Sequence, residues 1–355
     1  MPVIDADTHV TECDDTFSYI REGEEQFLPI KGEIPARNGG SPRGYWLVGG
    51  QQLSRGNPQG EWKTMGELLD VPARVHAMDN MGVDVQVIYP TFFNKSVGDP
   101  LQELALARSY NRWMADRCEQ SGGRMRWVVI PPMHDIHHAI EEIRFGKEHG
   151  AVGVLKKGDE EAGYWPAESY FFPLYEEAQK QGLSICFHVG SGFTGAMPLD
   201  RLNHITHHKF HLSHVSAFTS LITFQVPRKF PELRWGFMEV TASWVPYALY
   251  YIRRIRSKAA ERSGAVSSVA GSLDYDVGPD VLARNHIYVA CFVDEDLPYI
   301  MEQTGEDNLL IGSDFVHHDH ATELDYISAL KARGDLTPAQ VRKITEDNPR
   351  AFYAL

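Results

Sequence analysis

Four short stretches of this 355-residue sequence carry the side-chain types that bind divalent metal ions. The first is Asp5-Ala6-Asp7-Thr8-His9, with Glu12 just downstream. The others are Phe187-His188, Met238-Glu239 and Gly312-Ser313-Asp314, each closing an apolar run. Residues two apart on an extended strand point the same way, so Asp7 and His9 can approach one ion from one side. Imidazole and carboxylate are the ligands that a catalytic divalent-metal site requires. A single His or Asp at a strand end is more often a cap than a ligand. Recurrence at the ends of separate apolar runs is harder to explain by capping, so Asp7, His9, Glu12, His188, Glu239 and Asp314 are the candidate metal ligands.

Asp314 and Glu239 are also candidates for acid/base work, since a carboxylate beside a metal can take a proton from water. Glu239 can instead orient a ligating histidine, and Glu12 can cap the segment after it. Other histidines crowd two regions. His204, His207, His208, His211 and His214 precede or open a helical segment, and His317, His318 and His320 follow Asp314. His214 and His317 are the acid/base candidates among them. The ligand count leaves two readings open. One zinc or manganese per chain needs only part of the set, whereas two irons about 3.5–4 Å apart can use four carboxylates and two imidazoles.

The elements that must position these groups alternate. Short Val-, Ile- and Phe-rich runs at 2–5, 85–90, 126–131, 151–156, 183–188, 233–239, 286–291 and 309–313 predict strands buried on both faces. Helical patterns lie at 71–81, 100–120, 135–149, 170–181, 211–227, 244–261, 296–304 and 322–333. Eight strands, each followed by a helix, predict a (β/α)8 TIM barrel, whose catalytic face is formed by the carboxyl ends of the strands. An open doubly wound sheet would want a Gly-rich phosphate loop after its first strand, and DADTHVTE is not one. The chain is expected to be a single barrel domain over 1–355. Insertions are expected at about 17–65, with a hairpin near 45–54, and at 262–280, with loops at 158–169 and 192–206.

Composition narrows the partners. Hydrophobic residues at 43% and charged residues at 23% fit a globular protein, and a chain of this length folds without a structural metal. A net charge of −14 with no basic run disfavours nucleic acid and anionic membranes, which leaves a small-molecule substrate. The four cysteines are widely spaced and read as reduced core thiols. The opening MPVIDADTHV has no signal-peptide pattern, so the cytoplasm is the expected compartment. A homodimer is the commonest assembly for such a protein.

The same residues carry a resemblance. D-x-D-x-H at 5–9, F-H-V-G-S-G at 187–192, F-P-E-L-R-W-G-F-M-E at 230–239, I-G-S-D at 311–314 and D-N-P-R-A-F-Y at 347–353 keep the order and spacing of one family. The chain resembles the amidohydrolase-2 family, the aminocarboxymuconate-semialdehyde decarboxylase-like branch of the amidohydrolase superfamily. The resemblance implies metal ligands at His9, His188 and Asp314, with Asp7 in place of the first histidine of the family's H-x-H. Glu239 stands where decarboxylases of the family carry a catalytic histidine. The expected activity is metal-dependent hydrolysis or decarboxylation of a small to medium cyclic or aromatic carboxylic acid. One alternative is a non-heme di-iron monooxygenase that hydroxylates a bulky hydrophobic acid, with Phe92, Phe93, Trp165, Phe193, Phe218 and Trp244 lining its pocket. The other is an inactive barrel that only binds.

Overall fold

A computed structural model describes all residues except 36–42, 56–58, 95–96, 189–205, 262–276 and 319. The strands are β1 (Ile4–His9), β2 (Ile30–Ile34), β3 (Arg43–Val48), β4 (Gln51–Ser54), β5 (Val85–Tyr89), β6 (Met125–Val129), β7 (Ala151–Lys157), β8 (Ser184–His188), β9 (Trp235–Phe237), β10 (Ile287–Ala290) and β11 (Leu309–Leu310). Eight of them form one sheet in the order β1-β5-β6-β7-β8-β9-β10-β11, and a bridge pairs Thr8 of β1 with Phe315, just past β11. Helices separate these strands, and the fold is the expected (β/α)8 barrel. β1 and β7 are buried along their whole length, as parallel strands covered on both faces must be.

The chain forms two compact units, one of residues 2–155 with 313–324, the other of 156–312 with 325–355 and Met1. The first holds α1 (Gly60–Gly66), α2 (Val71–Met81), α3 (Pro100–Glu119) and α4 (Ile136–Glu148). Three of these start on an aspartate: Asp70, Asp99 and Asp135 each accept backbone N–H bonds that the first turn cannot satisfy internally. α4 presses on β6 so closely that a Cβ on Gly146 would lie 1.9 Å from Val129 Cγ2. The insertion at 17–65 contains the expected hairpin, with Tyr45 opposite Ser54, and adds β2 as a third antiparallel strand. β2 escapes the sequence pattern because its isoleucines, Ile30 and Ile34, face solvent.

The second unit holds α5 (Phe172–Gln181), α6 (Thr206–Thr223), α7 (Val226–Lys229), α8 (Trp244–Glu261), α9 (Val281–Arg284), α10 (Leu297–Thr304), α11 (Tyr326–Ala332), α12 (Pro338–Arg342) and α13 (Asn348–Tyr353). The terminal D-N-P-R-A-F-Y motif proves to be structural. Asn348 donates to the carbonyls of Leu309 (2.8 Å) and Glu306 (3.0 Å), and Phe352 fills the space that Gly236 leaves on β9. A Cβ there would meet the ring at 2.2 Å. Most of the expected insertion at 262–280, and Phe193, lie outside the described residues. All four cysteines are buried and unbridged. No helix among the described residues is long and apolar enough to cross a membrane.

Candidate metal centre

In the first unit, β1 runs on through His9, so Asp7 and His9 belong to the strand itself rather than to a loop after it. Their i, i+2 spacing does what the sequence requires of it: His9 Nε2 lies 3.6 Å from Asp7 Oδ1. The same nitrogen lies 3.4 Å from Asp314 Oδ1, and all three side chains are buried. The protons decide what this cluster is. His9 Nδ1 sits 3.1 Å from the Pro90 carbonyl, which can only accept, so Nδ1 carries a proton, and Nε2 meets the two carboxylate oxygens either as part of an imidazolium or as a bare nitrogen beside a cation. Three ligand atoms facing one another in a buried site fit a divalent cation. The Nδ1–H to carbonyl contact is the usual way a ligating histidine is oriented.

Neighbouring groups hold the cluster in place. Ser313 donates its backbone N–H (2.8 Å) and hydroxyl (2.6 Å) to the two oxygens of Asp5, tying β1 to the segment that carries Asp314. Burial nevertheless raises the Asp5 carboxyl to about 7, the Ser313 bonds opposing it. Arg74, fully buried on α2, donates to the His9 carbonyl at 2.9 Å and to Gln86 at 2.8 Å. Asp314 accepts from the Thr322 hydroxyl at 3.1 Å and adopts φ 52°, a left-handed conformation that costs a non-glycine residue roughly 1–2 kcal/mol.

His317 joins His9 and Asp314, the three offering ligand atoms within 4.8 Å of one another. Its ring stacks on His9 at 3.9 Å, and its Nδ1 lies 2.7 Å from Asp314 Oδ1. The Thr91 hydroxyl donates to the Val10 carbonyl at 2.7 Å, so toward His317 Nε2 at 2.8 Å it can only accept. Nε2 therefore carries a proton, and Nδ1 meets Asp314 either as part of an imidazolium or as a bare nitrogen beside a cation. Glu12 has a different place. Its two oxygens accept the backbone N–H groups of Thr91 (3.0 Å) and Phe92 (2.9 Å), so it braces the chain after β5, and burial raises its carboxyl to about 7 against those bonds.

In the second unit His188, the last residue of β8, is buried with Nε2 3.3 Å from Glu239 Oε2. Glu239 follows β9 at φ 58°, the same left-handed strain as Asp314. His214, buried on α6, lies 3.4 Å from the Ser213 hydroxyl and edge-on to Phe237. His204 lies outside the described residues. The expected aromatic lining packs instead. Phe92 meets Phe17 and Phe93, and the buried rings of Phe218 and Phe237 meet half-buried Trp244 edge to face. On α4, His137, His138 and Glu141 also share a face, but it is a solvated one, and there Asp135 caps the helix against His138.

Sequence reasoning missed the supports, Arg74, Thr91, Thr322 and the Asp5–Ser313 clasp. It also missed a buried charged turn after β7, where Lys156, Lys157, Asp159 and Glu161 are each less than a tenth exposed. The run K-K-G-D-E-E ending an apolar stretch was the readable signal there.

Solved structures of similar fold cover nearly the whole chain. An amidohydrolase from Mycobacterium avium subsp. paratuberculosis K-10 has a TM-score of 0.79 at 18% identity, covering 100% of this chain and 98% of that one. 5-Carboxyvanillate decarboxylase from Novosphingobium aromaticivorans, complexed with manganese and 4-hydroxy-3-methoxy-5-nitrobenzoic acid, has a TM-score of 0.73 at 16% identity, covering 100% and 96%. 2,6-Dihydroxybenzoate decarboxylase from Rhizobium has a TM-score of 0.67 at 19% identity, covering 84% and 93%. A search of curated protein sequences finds no match. At such identities these likenesses speak for the fold. The family model for amidohydrolases, however, matches residues 4–355, so with its barrel and strand-end histidines and carboxylates this chain belongs to the amidohydrolase family.

Proposed function

We propose that this protein is a divalent-metal-dependent hydrolase or decarboxylase of a small to medium cyclic or aromatic carboxylic acid. The observation that carries the reading is the buried convergence of His9 Nε2 with the Asp7 carboxylate at 3.6 Å and the Asp314 carboxylate at 3.4 Å, an arrangement that fits a cation. In this reading zinc or manganese is held by Asp7, His9 and Asp314 in the first unit, and in the second His188, oriented by Glu239, is a further ligand candidate. When bound, such an ion supplies a Lewis acid for the substrate's carboxylate or carbonyl oxygen and lowers the pKa of water. Structural relatives described as decarboxylases of aromatic acids, one of them with manganese, support the same choice.

The chain's own groups then handle protons. In hydrolysis Asp314 accepts a proton from the attacking water and His317 shares it through the 2.7 Å contact, with Thr91 fixing the ring. In decarboxylation the carbon that loses CO2 keeps the electron pair of the broken bond and takes a proton from the protonated Asp314 carboxyl, which is reloaded from water. Glu239 is the second base on this account, and His214, walled in by Phe237, is held in reserve as a candidate. None of the comparisons supports the oxygen-activating or the inactive-barrel alternative.

Elemental analysis of protein purified without chelator tests the proposal. About one zinc or manganese per chain is expected, lost in His188→Ala, with CO2 or a hydrolysis product released from one of a panel of aromatic acids. Two irons per chain, or no metal even after reconstitution, would overturn it.

A further inference from the structure

In the second unit α8 is apolar on two sides. Val245, Ala248, Leu249 and Ile252 form its inward side and are buried. Tyr247, Tyr250, Tyr251 and Ile255 follow one another at i, i+3, i+4 and i+8, which sets them on one outward stripe, and each is 48–62% exposed. A helix at the surface of a domain ordinarily turns charged and polar side chains that way. α8 packs against α6 and α10, and these add the exposed rings of Phe224, one residue past α6, and Tyr299 on α10. Single apolar side chains at a surface need no explanation, but six large ones on three adjoining helices mark a surface that something covers.

The charges on α8 say what covers it. Residues 244–260 hold Arg253, Arg254, Arg256 and Lys258 and no acidic residue, in a chain of net charge −14. Two such chains repel one another overall, and an acid-free face is where they approach at least cost. The stripe is also uneven along the helix, with tyrosines in its amino half and exposed Arg254 beyond them. It therefore complements its own copy run antiparallel. About a two-fold axis between residues 250 and 251, Tyr247 meets the partner's Arg254 and Tyr250 meets the partner's Tyr251, each contact occurring twice. A guanidinium over a tyrosine ring is an attractive pair that strengthens as water leaves, and Tyr and Arg are the residues that interfaces enrich. Parallel helices would instead set the arginines against one another.

We propose that the outward face of α8, flanked by Phe224 and Tyr299, is the self-association surface of this protein, and that it is covered by α8 of a second copy packed antiparallel across a two-fold axis. Tyr250 and Tyr251 stand at the centre of that interface, and the Tyr247–Arg254 pairs fix its register. The inference does not depend on the proposed function, since neither the metal ligands nor the substrate enters it.

Sedimentation equilibrium of the full chain at about 10 µM tests the surface. The expected mass is about 80 kDa, twice the 40.1 kDa of one chain. Tyr251→Glu brings two carboxylates to the axis and should weaken association at least about 100-fold, because each substitution enters the interface twice. Tyr247→Arg sets a second cation against the partner's Arg254 and should do the same. Adding Arg254→Glu to Tyr247→Arg should restore the dimer, which a fault in folding would not allow. Leu101→Glu, at an exposed position of α3 in the first unit, should leave the mass unchanged. A monomeric wild type, a dimer indifferent to Tyr251→Glu, or a double variant that stays monomeric overturns the inference. Melting curves check folding, and the Tyr247→Arg pair decides the matter if Tyr251→Glu does not fold.

Discussion

Two buried charged clusters, one at β1 and the segment after β11, the other after β7, solve their electrostatics in opposite ways. Around His9 the protein gathers Asp7 and Asp314 and turns the imidazole Nε2 toward them. After β7 it gathers Glu161 and Asp159 with two lysines and balances the charge internally. Burial alone would raise the Glu161 carboxyl, but the Lys156 and Lys157 ammonium groups more than offset it and hold the group below its ordinary value. A cluster that carries its own counter-charge contributes to folding; one that leaves ligand atoms facing one another is built for something that arrives later. Backbone strain does not divide them, since Asp314 is left-handed and so is Ala162, next to Glu161.

The sharpest way to break the comparison is to remove one residue from each cluster and ask what is lost. His9→Ala should abolish metal binding and lower kcat/KM by about 100-fold or more, with little change in the melting temperature of the metal-free protein. Elemental analysis, steady-state kinetics and calorimetry read the three quantities. Glu161→Ala should do the reverse. It leaves the Lys156 ammonium buried without its partner, at a cost of about 3–5 kcal/mol, while the metal content of the folded fraction stays at the wild-type value. Urea unfolding and metal analysis check this. If Glu161→Ala lost metal with no loss of stability, the two clusters would not differ in kind.

What the sequence makes legible follows the same line. Apolar runs ending in His188, Glu239 and Asp314 are readable because a parallel strand is buried on both faces and turns polar only where it opens to the site. Asp7 and His9 are readable through their period of two. Residue type stops short of role at Glu12, because a carboxylate that braces backbone N–H groups is spelled the same as one that binds an ion. Arg74 is harder still. It sits at an inward position of α2, where composition predicts an apolar residue, and only the fold brings its guanidinium to the His9 carbonyl. The charged turn after β7 was visible as letters but not as a buried site, since burial of Lys156 depends on Phe171 and Glu161, which arrive from the chain that follows.

Glu12 gives the smallest expected effect and the finest test, because it stands between the two kinds of cluster: a buried carboxylate with neither a lysine nor, in this structure, a place among the ligand groups. Its folded value of about 7 lies above the ordinary 4.5, burial being the main cause, so the folded protein prefers the protonated form. Stability from this group is fully present below about pH 4.5 and is lost as pH rises through about 7, by on the order of 3 kcal/mol at most. Glu12→Gln keeps an oxygen for the Thr91 and Phe92 N–H groups but removes the titration. Melting temperatures of the variant should therefore fall less than those of the wild type between about pH 5 and 7, with the metal content of the two proteins equal. Parallel pH profiles with metal lost from the variant would instead make Glu12 a ligand and move it into the His9 cluster.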